Sequence, residues 1–129
     1  MTTELVREYP SLQGQVGGFY ARLFGINEKC CNAFSTQYEF SIKNIEDDLS
    51  FVLSLSQKID SLFGFFASDR KVSGSGDPFG VRRLALSIIN TLIDKQKSLS
   101  FSFIFEVLIE FYQSQNIKIE FNKLKVIEF

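Results

Sequence analysis

The sequence predicts an all-α fold on three observations. Apolar residues recur at three- and four-residue steps between Ile45 and Ala67 and again between Pro78 and Lys97, the spacing of one helix face. Capping side chains stand just ahead of these runs, Asn44 before the first and Asp77 before the second. Strict alternation of the strand type is confined to Ile117-Lys118-Ile119-Glu120-Phe121.

In chain order, Thr2 or Thr3 caps a short first helix through Arg7, which ends before Pro10 because the residue preceding proline avoids the helical region. Ser11 opens a second helix, from Leu12 to about Phe24, closed by Gly25. Gly14, Gly17 and Gly18 each weaken that helix by about 1 kcal/mol relative to alanine. Their clustering predicts close approach of another helix, with fraying as the alternative and Tyr20 as a neighbouring filler. A short helix after Asn27 carries Cys30, Cys31 and Phe34. The long helix from Ile45 to Ala67 turns Leu49, Val52, Leu53, Ile59, Leu62, Phe63 and Phe66 inward, and Glu46, Asp47 and Asp48 complement its positive end.

A Gly- and Ser-containing loop spans residues 68–76. Beyond it, Asp77 caps the next helix and Pro78 occupies its first position, where a missing N–H is harmless. This helix runs to about Lys97, with Ala85, Ile88, Ile89 and Leu92 inward and Lys95 and Lys97 at its negative end. A phenylalanine-rich helix follows from about Phe101 to Gln113, then a loop leading to a further helix near Phe121. The whole is read as one helical domain over residues 1–129.

Length and composition permit a substantial core, with 45% hydrophobic residues and 15 phenylalanines among 129 residues. Fourteen basic residues against 15 acidic ones give a net charge of −1, so any RNA contact must come from a local patch. The two cysteines are adjacent, which argues against a disulfide and for a reducing, cytoplasmic setting. No signal-peptide pattern is apparent, and short apolar runs such as Phe103-Ile104-Phe105 do not span a bilayer; the expectation is a soluble protein.

Arg82 and Arg83 are conspicuous because they fall near the positive end of a helix dipole, where cations are unfavourable by up to about 1 kcal/mol. They therefore call for an anionic partner, either a neighbouring carboxylate or a phosphate. Lys71, brought near the helix start by its loop, completes a candidate anion patch for RNA phosphate. The two arginines also lie about 100° apart on a helix, which favours internal ion pairs, with Asp60 or Asp77 among the partners.

The stretch Gly74-Ser75-Gly76-Asp77-Pro78-Phe79-Gly80-Val81-Arg82-Arg83-Leu84-Ala85 resembles a signature of the β subunit of bacterial heterotetrameric glycyl-tRNA synthetase. Two further blocks agree in order and spacing. Glu4-Leu5-Val6-Arg7-Glu8-Tyr9-Pro10-Ser11-Leu12-Gln13-Gly14 is similar to the family's N-terminal block of this region, and Ser56-Gln57-Lys58-Ile59-Asp60-Ser61-Leu62-Phe63-Gly64 to its Asp-Lys-x-Asp segment. The blocks cover roughly residues 1–93.

The resemblance implies part of an HD-like helical domain within a longer subunit, with helices before Met1 and an anticodon-binding domain beyond Phe129. It implies Gly74, Asp77, Pro78 and Phe79, together with Asp60, as motif residues. It places ATP, magnesium and glycine at the α subunit, and it implies the α subunit, a second β subunit and tRNA(Gly) as partners, with neither membrane nor DNA.

The chain has no histidine, which excludes Ser-His-Asp and Cys-His catalysis and the His-Asp metal chemistry of HD phosphohydrolases. Gly74-Ser75-Gly76 lacks the Lys-Ser/Thr ending of a P-loop. Asp60 is read as a structural hydrogen-bond or ion-pair partner, or as the remnant of a metal site, and the acidic cluster at residues 46–48 as dipole complementation. No residue is assigned a catalytic role. The expected function is a non-catalytic segment of a ligase that supports tRNA binding and subunit assembly. The alternative is a stand-alone helical interaction module or a degenerate, metal-free HD-like regulatory domain.

Overall fold

Thr3 opens the first helix by accepting a hydrogen bond from the Val6 amide, 3.3 Å away. The computed structural model describes residues 3–39, 47–68, 80–119 and 126. Among them are six α-helices and no strand: α1 (Glu4–Glu8), α2 (Gln13–Leu23), α3 (Glu28–Thr36), α4 (Asp48–Ala67), α5 (Val81–Asp94) and α6 (Phe101–Ser114). A 3-10 turn at Pro10–Leu12 joins α1 to α2. The expectations at Asn44, Glu46, Lys71, Gly74, Asp77, Pro78, Phe79 and the start of a helix near Phe121 lie outside the described residues. Residues 117–119 are irregular, so the alternating sequence forms no strand there.

The chain divides into two compact units, Met1–Lys58 and Ile59–Phe129. In the first, α2 packs on α3. A Cβ at Gly14 would stand 2.5 Å from the Ser35 carbonyl oxygen, and one at Gly18 would stand 2.7 Å from the Cys31 carbonyl. Both positions must therefore be glycine for the helices to come this close, as the clustering predicts; Gly17 meets nothing within 4 Å.

Gly25, at φ +73, reverses the chain after α2. The Ile26 amide then bonds to Ala21 and the Gly25 amide to Arg22, satisfying carbonyls that the helix end would leave unpaired. Asn27 caps α3 by accepting from the Cys30 amide at 3.0 Å. The Cys31 thiol is buried and donates to the Ile26 carbonyl, and Arg22 grips Glu28 and Asn32 across the surface.

The expected inner face of α4 is only half correct. Ile59, Leu62 and Phe63 are buried, but Leu49 and Val52 are 45% and 55% exposed. Ser50, Ser54, Leu55 and Lys58 are buried in their place. In the first half of α4 the stripe Ser50-Ser54-Lys58 is polar and buried while apolar Leu49 and Val52 face outward, so apolar spacing points away from the face that packs. Asp47 precedes the helix, accepting from the Ser50 amide at 2.9 Å and from the Ser50 hydroxyl at 2.6 Å. The Ser50 hydroxyl and amide hold the Asp47 carboxyl below the usual carboxylate range.

In the second unit, Phe63, Phe105 and Ile88 form the centre of the core. Phe63 stacks on Tyr112 at a centroid distance of 5.6 Å, and Phe105 contacts both Phe63 and Phe101. The start of α5 differs from expectation: Gly80 sits at φ +66, outside the right-handed helical region, so the helix begins at Val81 rather than running on from Pro78. Its buried face is Val81, Ser87, Ile88, Thr91 and Leu92, while Ile89 is 48% exposed. The helix ends at Asp94, short of Lys97, where Gln96 takes a positive φ and the Lys97 amide bonds back to Leu92.

Candidate functional site

The surface that gathers the sequence-predicted site residues is the first turn of α5 and the groove beside it. Gly80, at φ +66, gives the helix no side-chain cap. Arg82 and Arg83 are the second and third residues of the helix, and both are exposed. The two guanidinium groups part company. Arg83 folds back over Gly80, close enough that a Cβ there would lie 3.3 Å from one of its terminal nitrogens. Arg82 instead lines a groove of about 460 Å³ whose other walls are apolar: Leu62, Leu86, Ile88, Ile89, Phe101 and Phe105. The structure thus places Arg82 and Arg83 side by side in the chain without converging them on one point, and Lys71 lies outside the described residues.

Asp60 is engaged elsewhere in the same unit. Its carboxylate accepts a hydrogen bond from the Tyr112 hydroxyl at 2.5 Å. That bond, with burial and the carboxylate's charge, pushes the Tyr112 hydroxyl up to about 12. Tyr112 lies 52 positions along the chain from Asp60, and nothing local in the sequence joins them.

A second polar feature is not foreseen from the sequence. Lys58 is 2% exposed, and among the described residues neither its Nζ nor the Ser54 Oγ has a hydrogen-bond partner. Burial pushes the Lys58 ammonium pKa down, and the nearby Glu39 carboxylate opposes that shift. The signal for it is present in the register: Ser50, Ser54, Lys58 and Leu62 follow at four-residue steps, so a lysine occupies a position on the buried stripe.

Among the described residues no group of three His, Cys, Asp or Glu side chains is placed to hold a metal ion, and no helix is long and apolar enough to cross a membrane. The geometry offers exposed guanidinium groups, an apolar groove and a set of buried polar groups.

Comparison with known proteins agrees with the sequence blocks. Residues 1–129 match the family described as glycyl-tRNA synthetase beta subunit. The chain is 43% identical over 102 residues to the glycine–tRNA ligase beta subunit of Oenococcus oeni, covering 75% of this chain and 14% of that protein. It is 36% identical over 132 aligned positions to the corresponding subunits of Leuconostoc mesenteroides and Aquifex aeolicus, covering all of this chain and 19% and 20% of theirs. The chain therefore spans a fifth or less of the length of these relatives. With three sequence blocks in order and a match along its whole length, the chain belongs to the glycyl-tRNA synthetase beta subunit family.

Proposed function

We propose that this chain is a non-catalytic helical segment of the β subunit of a heterotetrameric glycine–tRNA ligase, supporting tRNA binding and subunit assembly in the cytoplasm. The observation that carries the reading is the family match over residues 1–129, with relatives aligned along the entire chain. In this reading the α subunit binds ATP, magnesium and glycine, and the partners of this segment are that subunit, a second β subunit and tRNA(Gly). The absence of histidine from the chain supports an accessory rather than a chemical role.

Within that function, Arg82 and Arg83, with Lys71, supply an anion patch for tRNA phosphate. Exposure of both arginines in the first turn of a helix supports this, since backbone amides and the dipole favour an anion there. Charge reversal by Arg82→Glu and Arg83→Glu in the complete β subunit tests it. The expected result is weaker, less salt-sensitive tRNA binding at an unchanged melting temperature, the salt slope falling by about 1 for each phosphate no longer neutralised. Unchanged tRNA binding with a lowered melting temperature overturns the RNA role and makes the arginines structural.

One observation favours a second reading, a helical interaction module of the degenerate, metal-free HD-like kind that docks a protein. Arg82 stands on the wall of an apolar groove, a surface better suited to a protein side chain than to a phosphate. Loss of α-subunit association in the same variant, with tRNA affinity retained, selects this reading.

A further inference from the structure

Ser50, Ser54 and Lys58 occupy one face of α4 at successive four-residue steps, and all three are buried. Ser50 is satisfied by Asp47. Ser54 Oγ and Lys58 Nζ, one turn apart on the same face, are not satisfied by any atom of the described residues. A buried hydroxyl and, far more, a buried ammonium are strongly unfavourable without partners, and native interiors satisfy nearly all such groups. The carboxylate in the neighbourhood is that of Glu39, three residues past the end of α3, and it makes no direct hydrogen bond to Lys58.

The size of the missing partner is limited by burial. Both polar atoms are buried, and neither the α5 groove nor the small cleft bordered by Gly17 and Tyr20 is lined by Ser54 or Lys58. Its chemistry is limited too. The partner must accept from an ammonium and exchange a bond with a hydroxyl while facing a carboxylate that repels a second anion.

We infer that Ser54 and Lys58 bind one ordered internal water, which accepts a hydrogen bond from Lys58 Nζ, shares one with Ser54 Oγ and donates toward the Glu39 carboxylate. Bridging waters of this kind are nearly as favourable as direct hydrogen bonds and are integral to the fold. The water ties the middle of α4 to the segment that follows α3 and lets a lysine reside on a buried stripe. This inference does not rest on the tRNA or assembly reading.

The test is a double-mutant cycle on the intact β subunit, with Ser54→Ala and Lys58→Met singly and together, read as melting temperature, and a crystal structure at a resolution that shows waters. The expected result is that Ser54→Ala lowers the melting temperature of the natural protein but has no effect in the Lys58→Met background. The expected density is a single water within about 3 Å of both Ser54 Oγ and Lys58 Nζ. Equal effects of Ser54→Ala in the two backgrounds overturn the inference. So does density in which Lys58 pairs directly with Glu39, or in which an anion or another side chain occupies the position.

Discussion

The two units solve helix packing in opposite ways. In the first, α2 and α3 meet through absent side chains: Gly14 and Gly18 bring the α2 backbone against the carbonyls of Ser35 and Cys31. In the second, the end of α4 and α6 meet through large ones, with Phe63 against Phe105 and Tyr112 and Phe105 against Phe101. Close backbone contact leaves little room to vary. Packing through rings leaves irregular space, and the apolar groove beside Arg82 lies in the aromatic unit. Tolerance to substitution should therefore differ in sign and size between the two.

The largest effect is expected in the aromatic unit. Phe105 is fully buried, and Phe105→Ala should destabilise by about 3–5 kcal/mol because the rings around it cannot collapse into the space. Chemical denaturation of the β subunit checks this, and a loss below about 1 kcal/mol breaks the comparison by showing that the aromatic core repacks. In the glycine unit the damaging change is the reverse one. Gly14→Ala should cost about 1–3 kcal/mol, because the atom it meets is a backbone carbonyl that cannot rotate away. Gly18→Ala should cost a similar amount, since the added Cβ would displace the Ser35 hydroxyl from its bond to the Cys31 carbonyl and still meet that carbonyl. Gly17→Ala, on the same helix with nothing within 4 Å, should stabilise by about 1 kcal/mol. Stabilisation at all three positions would mean that helix propensity, not interhelical distance, governs this contact.

How far the sequence reveals this arrangement depends on whether the determining interaction is local. Caps and stops at Thr3, Pro10, Gly25, Asn27 and Ser100 act within a few residues and can be read directly. The clustering of Gly14 and Gly18 is equally plain, though only the structure separates them from Gly17. The rotation of α4 cannot be read, because its first half buries Ser50, Ser54 and Lys58 and leaves the more apolar Leu49 and Val52 exposed, the reverse of what local hydrophobicity favours. Gly80 misleads in another way: the Asp-Pro pair before it is a valid helix start on local grounds, yet a left-handed residue at Gly80 sets the observed start at Val81. Of the candidate site, Arg82 and Arg83 are legible as cations at a helix start. Their divergence beyond the turn of the helix itself, the groove, and the Asp60–Tyr112 bond require tertiary structure.

The groove gives a smaller expected effect and a sharper contrast with the cores. Leu86 and Ile89 are about half exposed, so Leu86→Gln or Ile89→Gln should shift stability by no more than about 0.5 kcal/mol. If the groove docks a protein, the same variants weaken α-subunit association measured by sedimentation. A large stability loss would instead make these residues part of the folding core of the subunit.

The smallest effect is spectroscopic and concerns the hydrogen bond that closes the aromatic unit. The Tyr112 hydroxyl is raised from an ordinary value of 10.0 to about 12, first by its bond to Asp60 and then by burial and the carboxylate's charge. For a group whose folded value is raised, the stabilisation is fully present below the unfolded value near 10 and is lost as pH rises from there through 12. Partial solvent access screens the contribution, so it should be slight at neutral pH and visible mainly in titration. The difference in phenolate absorbance between the natural β subunit and its Tyr112→Phe variant isolates this one ring. It should show a single ionisation near 12, moving toward 10 in an Asp60→Asn background, which keeps the shape but removes the charge. An ionisation near 10 in the unsubstituted protein would mean that Asp60 does not hold the hydroxyl in solution, and the aromatic unit would then depend on ring packing alone.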